Sequence, residues 1–286
     1  MRTELHCHTT ASDGLYSPSA LVRLARQRDI GWLAVTDHDT IDGHPEALAA
    51  GAEHGVRIIP GIEISSLSPA GEVHVLGYGV EPADDETRDR ITRLRSSRES
   101  RARRILARLE ALGKPVGFER VKALAGDAMI GRPFIAMAMV ECGHVQTRQQ
   151  AFDEYLAEGR PAFAPNDALT PEQAVELIHR AGGAAVVAHP GLYQGDASSM
   201  LLELNDRGLD GVEAFYPLHT PEQTRNYAAF ASRHGLLVTG GSDFHGPQGD
   251  AELALGSIGL PPGALEALLA RMAAIRSSGN NDPQGR

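Results

Sequence analysis

Six short apolar runs in this chain end in side chains that a divalent cation accepts, and that recurrence limits the fold more than any other feature. The first is Glu4-Leu5-His6-Cys7-His8, followed by the small-residue turn Ser12-Asp13-Gly14. The others are Thr36-Asp37-His38-Asp39, Gly61-Ile62-Glu63-Ile64, Val73-His74-Val75, Ala188-His189-Pro190 and Ser242-Asp243-Phe244-His245. Side chains in extended backbone repeat with period two, so His6 and His8 share a face and can reach one ion while Cys7 points the other way. One His-x-His pair would fit a surface strand equally well. With 12 histidines in the chain and several at strand ends, scattered surface histidines are a poor account of the whole set.

Between these ends the pattern alternates. Ser17-Pro18-Ser19 starts a helix with an N-cap and an early proline, and Leu21, Leu24 and Ala25 form its inner stripe. Ile30 to Val35 is a strand, and Pro45 to His54 is a helix. Strands at Val56 to Ile64 and Glu72 to Val80 follow, joined by the polar turn Ser68-Pro69-Ala70-Gly71 with no room for a helix. Beyond residue 165, helices at Pro171 to Ala181, Ser198 to Arg207 and Pro221 to His234 alternate with strands at Ala184 to His189, Gly211 to Tyr216 and Leu236 to Gly240. Alternation predicts a parallel α/β sheet, and polar residues at the C-terminal ends of all seven strands predict a closed barrel with its site at that end. An open doubly wound sheet would gather ligands in one crevice, and no Gly-x-Gly-x-x-Gly turn supports it.

Residues 81–159 do not alternate and read as an inserted helical cap over a barrel made of residues 1–80 and 160–286. Ile91, Leu94, Arg98, Arg101, Ile105, Leu109 and Leu112 fall at helical spacing up to Gly113, and shorter helices are predicted at Val121 to Ala125, Pro133 to Cys142 and Gln149 to Leu156. Nine arginines lie between Arg88 and Arg108. Arg98 and Arg101 interrupt the apolar stripe, so they face whatever the helix packs on, as phosphate clamps or as rim residues with buried stems. From Ser277 onward the tail is expected to be disordered.

The formal net charge of -10 argues against a long-duplex or membrane-surface binder. Cys7 and Cys142 make neither a disulfide framework nor a thiolate zinc site. No export or membrane segment is evident, so cytoplasmic residence is the expectation, with no reading of oligomeric state.

His6, His8, Asp13, His38, Glu63, His74, His189, Asp243 and His245 are too many ligands for one ion. Imidazoles with carboxylates and no thiolate suit manganese, zinc or iron, and the excess implies two or three divalent ions. Such a cluster suits hydrolysis of phosphate esters, because it lowers the pKa of a bound water and neutralises charge on a phosphoryl group.

These motifs resemble the PHP (polymerase and histidinol phosphatase) phosphoesterases over nearly the whole chain. Besides the six ends, His74-Val75-Leu76-Gly77, Ala188-His189-Pro190-Gly191 and Gly241-Ser242-Asp243-Phe244-His245 carry the likeness. The resemblance implies a distorted seven-stranded (β/α)7 barrel with one ion held by His6, His8, Glu63 and Asp243, a second by Glu63, His74 and His189, and a third by Asp13, His38 and His245. Glu63 is then the bridging carboxylate, and Glu63, Asp13 and His38 are the expected catalytic members. Within the family the chain looks most like the branch that removes the 3'-phosphate from nucleoside 3',5'-bisphosphates and includes 5'-to-3' exonucleases on short RNA. The cap arginines and Gly131-Arg132-Pro133 belong to that likeness. Phe134 and Leu192 depart from it, standing where histidine and arginine are common.

The expected activity is metal-dependent phosphoesterase chemistry, manganese first with zinc or iron possible. The expected substrate is a small doubly phosphorylated nucleotide or a short 5'-phosphorylated oligonucleotide. Arg98, Arg101 and Arg132 would bind its second phosphate, and His219 would donate a hydrogen bond at the mouth. A histidinol-phosphate phosphatase is the alternative, though its cationic amine would meet an arginine-rich cap. An amidohydrolase-type C–N hydrolase would call for a carboxylated lysine at a strand end, and the metal-motif strands contain no lysine.

Overall fold

The computed structural model describes residues 2–69, 71–126, 130–165, 169–193, 197–247 and 254–279, with the side chains of residues 95–98 outside that description. Seven strands form one sheet in sequence order: β1 (Arg2–Glu4), β2 (Ile30–Val35), β3 (Arg57–Ser68), β4 (Gly71–Tyr78), β5 (Ala184–Val187), β6 (Gly211–Phe215) and β7 (Leu237–Gly240). The ring closes just past the strand ends, where Cys7 bridges Phe244 in parallel and the His8 amide donates to the Phe244 carbonyl at 2.9 Å. Glu4, fully buried at this seam, accepts from the Ser242 amide (2.9 Å), the Ser242 hydroxyl (2.6 Å) and the Gly256 amide (2.8 Å). Gly241 is required there, because a Cβ would lie 2.3 Å from the His6 Cβ.

One expectation needs correcting. β4 runs antiparallel to both β3 and β5, so the sheet is mixed, and His74 sits in the first half of its strand. The two-ended hairpin explains this: a short turn can only reverse the chain, whereas a parallel neighbour needs a long crossover. His74 therefore reaches the same mouth as the strand ends by running into the barrel from it.

Helices α1 (Pro18–Gln27), α2 (His44–His54), α7 (Pro171–Arg180), α8 (Ser198–Asn205) and α9 (Pro221–His234) belong to the alternating part. Their starts are written locally. Ser17 accepts from the Ala20 amide before α1, and the repeated Thr-Pro-Glu-Gln at Thr170 and Thr220 forms a full capping box before α7 and α9. Between β4 and α7 lie α3 (Asp85–Ala111), α4 (Phe118–Ala125), α5 (Arg132–Glu141), α6 (Arg148–Ala151) and a π-turn at Phe152–Leu156.

Helix α3 serves two cores. Ile91 and Leu94 pack with Ile62, Val75 and Ile178 of the barrel side, whereas Ala102, Ile105 and Leu109 pack with Val121, Ile135, Met139 and Leu156. Leu112, placed in the stripe by spacing, is 43% exposed.

A further helix, α10 (Ala264–Gly279), has no counterpart among the sequence expectations and carries Ser277 to Gly279 of the expected disordered tail, whose residues 280–286 lie outside the described residues. Leu268 and Met272 bury against Leu5, Tyr78 and Ala184. No described helix is long and apolar enough to cross a membrane.

Candidate metal centre

The strand-end side chains converge on Glu63. Buried on β3 with no exposure, its Oε2 lies 3.2 Å from His6 Nε2, 3.2 Å from His8 Nε2 and 3.1 Å from His38 Nδ1. Its Oε1 meets His74 Nδ1 at 2.8 Å and His189 Nε2 at 3.1 Å. Asp243 Oδ1 adds contacts of 3.3 Å to His6 Nε2 and 3.0 Å to His8 Nε2, and Asp13 Oδ1 lies 3.2 Å from His245 Nε2. Three overlapping groups have donor atoms close enough to share an ion: His6, His8, Glu63 and Asp243; His8, Asp13, His38 and His245; and His38, Glu63 and His74.

Local backbone aims these groups. Period two on the extended segment after β1 turns His6 and His8 inward and Cys7 outward, where its thiol donates to the Ala34 carbonyl at 3.0 Å. Asp37 folds the turn that carries Asp13, accepting from the Thr9 amide (2.7 Å), the Thr9 hydroxyl (2.8 Å) and the Ser12 hydroxyl (2.6 Å). Gly14 closes that turn where a Cβ would meet the His8 carbonyl oxygen at 2.4 Å. Asp39, His189 and Asp243 all hold positive φ, at 54°, 27° and 54°. Non-glycine residues in that region cost about 1–3 kcal/mol each and are retained where surrounding structure enforces them.

The electrostatics call for positive charge. Burial opposes ionisation of Asp13, Glu63 and Asp243, yet the surrounding histidines hold all three carboxyls well below their ordinary values. Conversely, burial opposes the charged imidazole of His6, but Glu213, Asp243 and Glu63 outweigh it and raise its pKa. Burial is likewise outweighed at His74, chiefly by Glu63, and at His245, chiefly by Asp13, so that each rises to about 10. Several inward atoms find no hydrogen-bond partner: His6 Nε2, both ring nitrogens of His8, Asp13 Oδ1, Glu63 Oε2 and Asp243 Oδ1. Buried polar atoms left this way are costly unless a cation meets them. The donor set, imidazole and carboxylate with no thiolate, fits divalent ions of the manganese, zinc or iron kind.

Behind the cluster stands a residue the sequence reading did not single out. Glu213 of β6, with no exposure, accepts from His6 Nδ1 at 3.0 Å and from the His189 amide at 2.8 Å. Its signal was a lone carboxylate inside an apolar strand, Gly211-Val212-Glu213-Ala214-Phe215. Tyr216 donates to Asp243 Oδ2 at 3.1 Å.

The expected substrate residues fare unevenly. Arg98 lies outside the described side chains. Arg101 is buried and makes bonds of 3.0 and 3.4 Å to Glu72, and Arg132 donates to the same carboxylate at 2.8 Å. His219 is corrected: its Nε2 accepts from the Gly191 amide and its Nδ1 donates to the Ala214 carbonyl, both at 3.0 Å, so main chain uses both nitrogens. Burial lowers its pKa, in keeping with that neutral form. Phe134 is core to the helical segment rather than facing a substrate, while Leu192 is 48% exposed on a cavity wall.

A mixed α/β barrel with a mouth full of histidine and carboxylate ligands defines a metal-dependent hydrolase. The PHP domain model matches residues 4–116. The chain is 36% identical over 249 residues to the 5'-3' exoribonuclease Rnm of Salmonella typhimurium, covering 85% of each. It is 34% identical over 248 residues to the 3',5'-nucleoside bisphosphate phosphatase of Chromobacterium violaceum, covering 85% of this chain and 87% of that one. A solved structure from Bifidobacterium adolescentis, assigned as a metal-dependent phosphoesterase, superposes with a TM-score of 0.83 at 32% identity, covering 94% of this chain and 95% of that one. The chain belongs to the PHP domain family and is a hydrolase of phosphate esters.

Proposed function

We propose that this protein hydrolyses a phosphate ester of a nucleotide, as a nucleoside 3',5'-bisphosphate 3'-phosphatase, a 5'-to-3' exonuclease on short oligonucleotides, or both. One observation carries the reading: a guanidinium, Arg132, is tied to the ion cluster through a single side chain, since Glu72 lies 3.8 Å from His74 Nε2 and 2.8 Å from Arg132 Nη2. A substrate with one phosphate at the cluster can thus offer a second to Arg132, whose planar fork matches two phosphate oxygens. The relatives named for an exoribonuclease and a bisphosphate phosphatase support this substrate class.

His6, His8, Glu63 and Asp243 would hold one ion, and Asp13, His38 and His245, joined by His8, another. His74 and His189, both against Glu63 Oε1, would hold a third together with Glu63, the carboxylate shared with the first. When bound, two or three ions, manganese first and zinc or iron next, lower the pKa of water and neutralise charge on the phosphoryl group. The chain's part is to exclude water around the ligands, hold His6 in one tautomer through Glu213, and orient the substrate through Arg132.

Residues 81–159 are taken as a cap on a barrel of residues 1–80 and 160–286, supported by the separate apolar core around Ile105, Ile135 and Met139. A carboxylated lysine is disfavoured, because the two lysines, Lys114 and Lys122, lie at and within the helical segment. Free thiols at Cys7 and Cys142 suit the cytoplasm.

The test is a panel of adenosine 3',5'-bisphosphate, AMP, a 5'-phosphorylated trinucleotide and histidinol phosphate, assayed on stripped enzyme with Mn2+, Zn2+ or Fe2+ restored. Doubly phosphorylated or oligonucleotide substrates should lead in kcat/KM. Equal turnover of AMP or histidinol phosphate would overturn the reading.

A further inference from the structure

Arg101 of α3 and Arg132 of α5 come from different helices, yet both aim at Glu72 of β4. Arg101 is the anchored one. Its Nε donates to the Ala164 carbonyl at 2.8 Å, and its two Nη atoms straddle the carboxylate at 3.0 and 3.4 Å, all within a buried setting. A guanidinium committed in this way has its fork turned to protein, so it is poorly placed to grip a ligand. Arg132 is the partly exposed one. It donates to Glu72 Oε2 at 2.8 Å and lines a cavity of about 300 Å³ together with Phe152, Leu192, Tyr193 and Met200. Glu72 Oε1 lies 3.8 Å from His74 Nε2.

We infer that Glu72 is a positioning residue: anchored by Arg101, it fixes Arg132 at a set distance from His74 and thereby selects substrates whose second anionic group spans that distance. This rests on the two-phosphate reading of the ion cluster. The physical reason is pre-organisation, since a long side chain loses rotamer freedom when it grips a ligand and loses less if the protein already holds it. Two guanidiniums against the carboxylates of Glu72 and Glu158, both in the cavity wall, leave no surplus positive charge, so the selection comes from how Arg132 is held. A carboxylate that merely filled the anion site until substrate displaced it would give the opposite sign: removing its charge would tighten substrate binding.

The experiment compares adenosine 3',5'-bisphosphate with adenosine 3'-monophosphate, which keeps the same reacting ester and lacks the second phosphate. kcat, KM and metal content are measured for wild type, Glu72→Gln and Arg101→Lys. We expect the preference for the bisphosphate, as a ratio of kcat/KM values, to fall about tenfold in Glu72→Gln, mainly through a higher KM for the bisphosphate, with metal content unchanged. Arg101→Lys keeps the charge but cannot form the fork, so it should lower the preference too. A lower KM for the bisphosphate in Glu72→Gln overturns the inference in favour of the displaced-occupant role. An unchanged preference, or equal losses on both substrates, also overturns it. Should Glu72→Gln not fold, Glu72→Asp tests the spacing with the charge kept: the preference must fall there too, and an unchanged one overturns the inference. Absence of preference in the wild type overturns the two-phosphate reading as well, whereas preference in the wild type that persists in the variants overturns this inference alone.

Discussion

Glu213→Gln should weaken metal binding without removing a single ligand. Glu213 receives two N–H groups, His6 Nδ1–H at 3.0 Å and the His189 amide at 2.8 Å, on its two oxygens in a site with no solvent exposure. Glutamine has one acceptor oxygen, so one of those contacts must change. If its carbonyl keeps the His189 amide, its NH2 faces His6 Nδ1, and His6 must carry its proton on Nε2, the nitrogen that lies 3.2 Å from Glu63 and 3.3 Å from Asp243. That tautomer has no lone pair to offer an ion, and loss of such an orienting partner typically costs about 10–100-fold in metal affinity, or about 1.4–2.7 kcal/mol. If the amide instead turns its carbonyl to His6, the NH2 abuts the His189 N–H, and the buried clash costs about 1–3 kcal/mol of folding stability. Metal titration of stripped protein, paired with a denaturant melt of the same sample, separates the two. An affinity within about twofold of wild type together with an unchanged melt would refute the positioning role, since both orientations cost more than RT ln 2.

Three further outcomes follow from the same geometry. Glu63→Gln should lose more turnover and more bound metal than His74→Ala, because Glu63 touches five histidines and His74 faces one of its oxygens; elemental analysis with kcat checks the order, and wild-type values for the Glu63 variant would refute it. Arg132→Lys should raise KM for adenosine 3',5'-bisphosphate while metal content stays intact, since an ammonium cannot grip two phosphate oxygens at once; wild-type kinetics would return Arg132 to a structural role. Asp210→Asn should destabilise the fold by about 1–2 kcal/mol, because its one carbonyl oxygen can keep the Ala185 amide and His179 while its NH2 then faces the half-exposed Arg271 guanidinium and the charge is lost. Burial raises the Asp210 pKa, but His179, the Ala185 amide and Arg271 outweigh it and depress it. The stabilisation is therefore complete above the ordinary carboxylate pKa and lost as pH falls through the depressed one. Denaturant midpoints of wild type and variant should thus converge in acid, and a constant gap down to about pH 2 would refute the assignment.

What the sequence made legible was whatever local periodicity writes. Ile30 to Val35 and Pro221 to His234 were bounded to the residue, because an unbroken apolar run and a Thr-Pro start leave little choice. Eight of the nine ligands lie together for the same reason, period two and parallel crossovers delivering them to one mouth, while His74 arrives on the antiparallel β4. Tertiary partners decided the rest. Whether Arg101 faces substrate or Glu72, and whether His219 offers a nitrogen or spends both on main chain, depends on residues far away in sequence. Helix α10 is a different kind of miss, since Leu265, Leu268, Leu269, Met272 and Ile275 are spaced for an apolar face. Glu213 was also readable, as a carboxylate that an apolar strand would bury only for a partner.

The reversed β4 ties these threads together. In the β3–β4 hairpin, Ser65 pairs with His74 and Leu67 with Glu72, and the pairing continues to Ser68 and Gly71, five residues of β3 beyond Glu63. At about 3.4 Å per residue that arm reaches roughly 17 Å past the cluster. Period two places His74 and Glu72 on one face of the same strand, so one meets Glu63 while the other meets the arginines of α3 and α5. A parallel β4 would have delivered only a strand end to the mouth and left the arginines without a carboxylate from the sheet. The spacing between ion cluster and arginine clamp is thus a property of strand register, and a one-residue slip would turn both His74 and Glu72 to the other face at once.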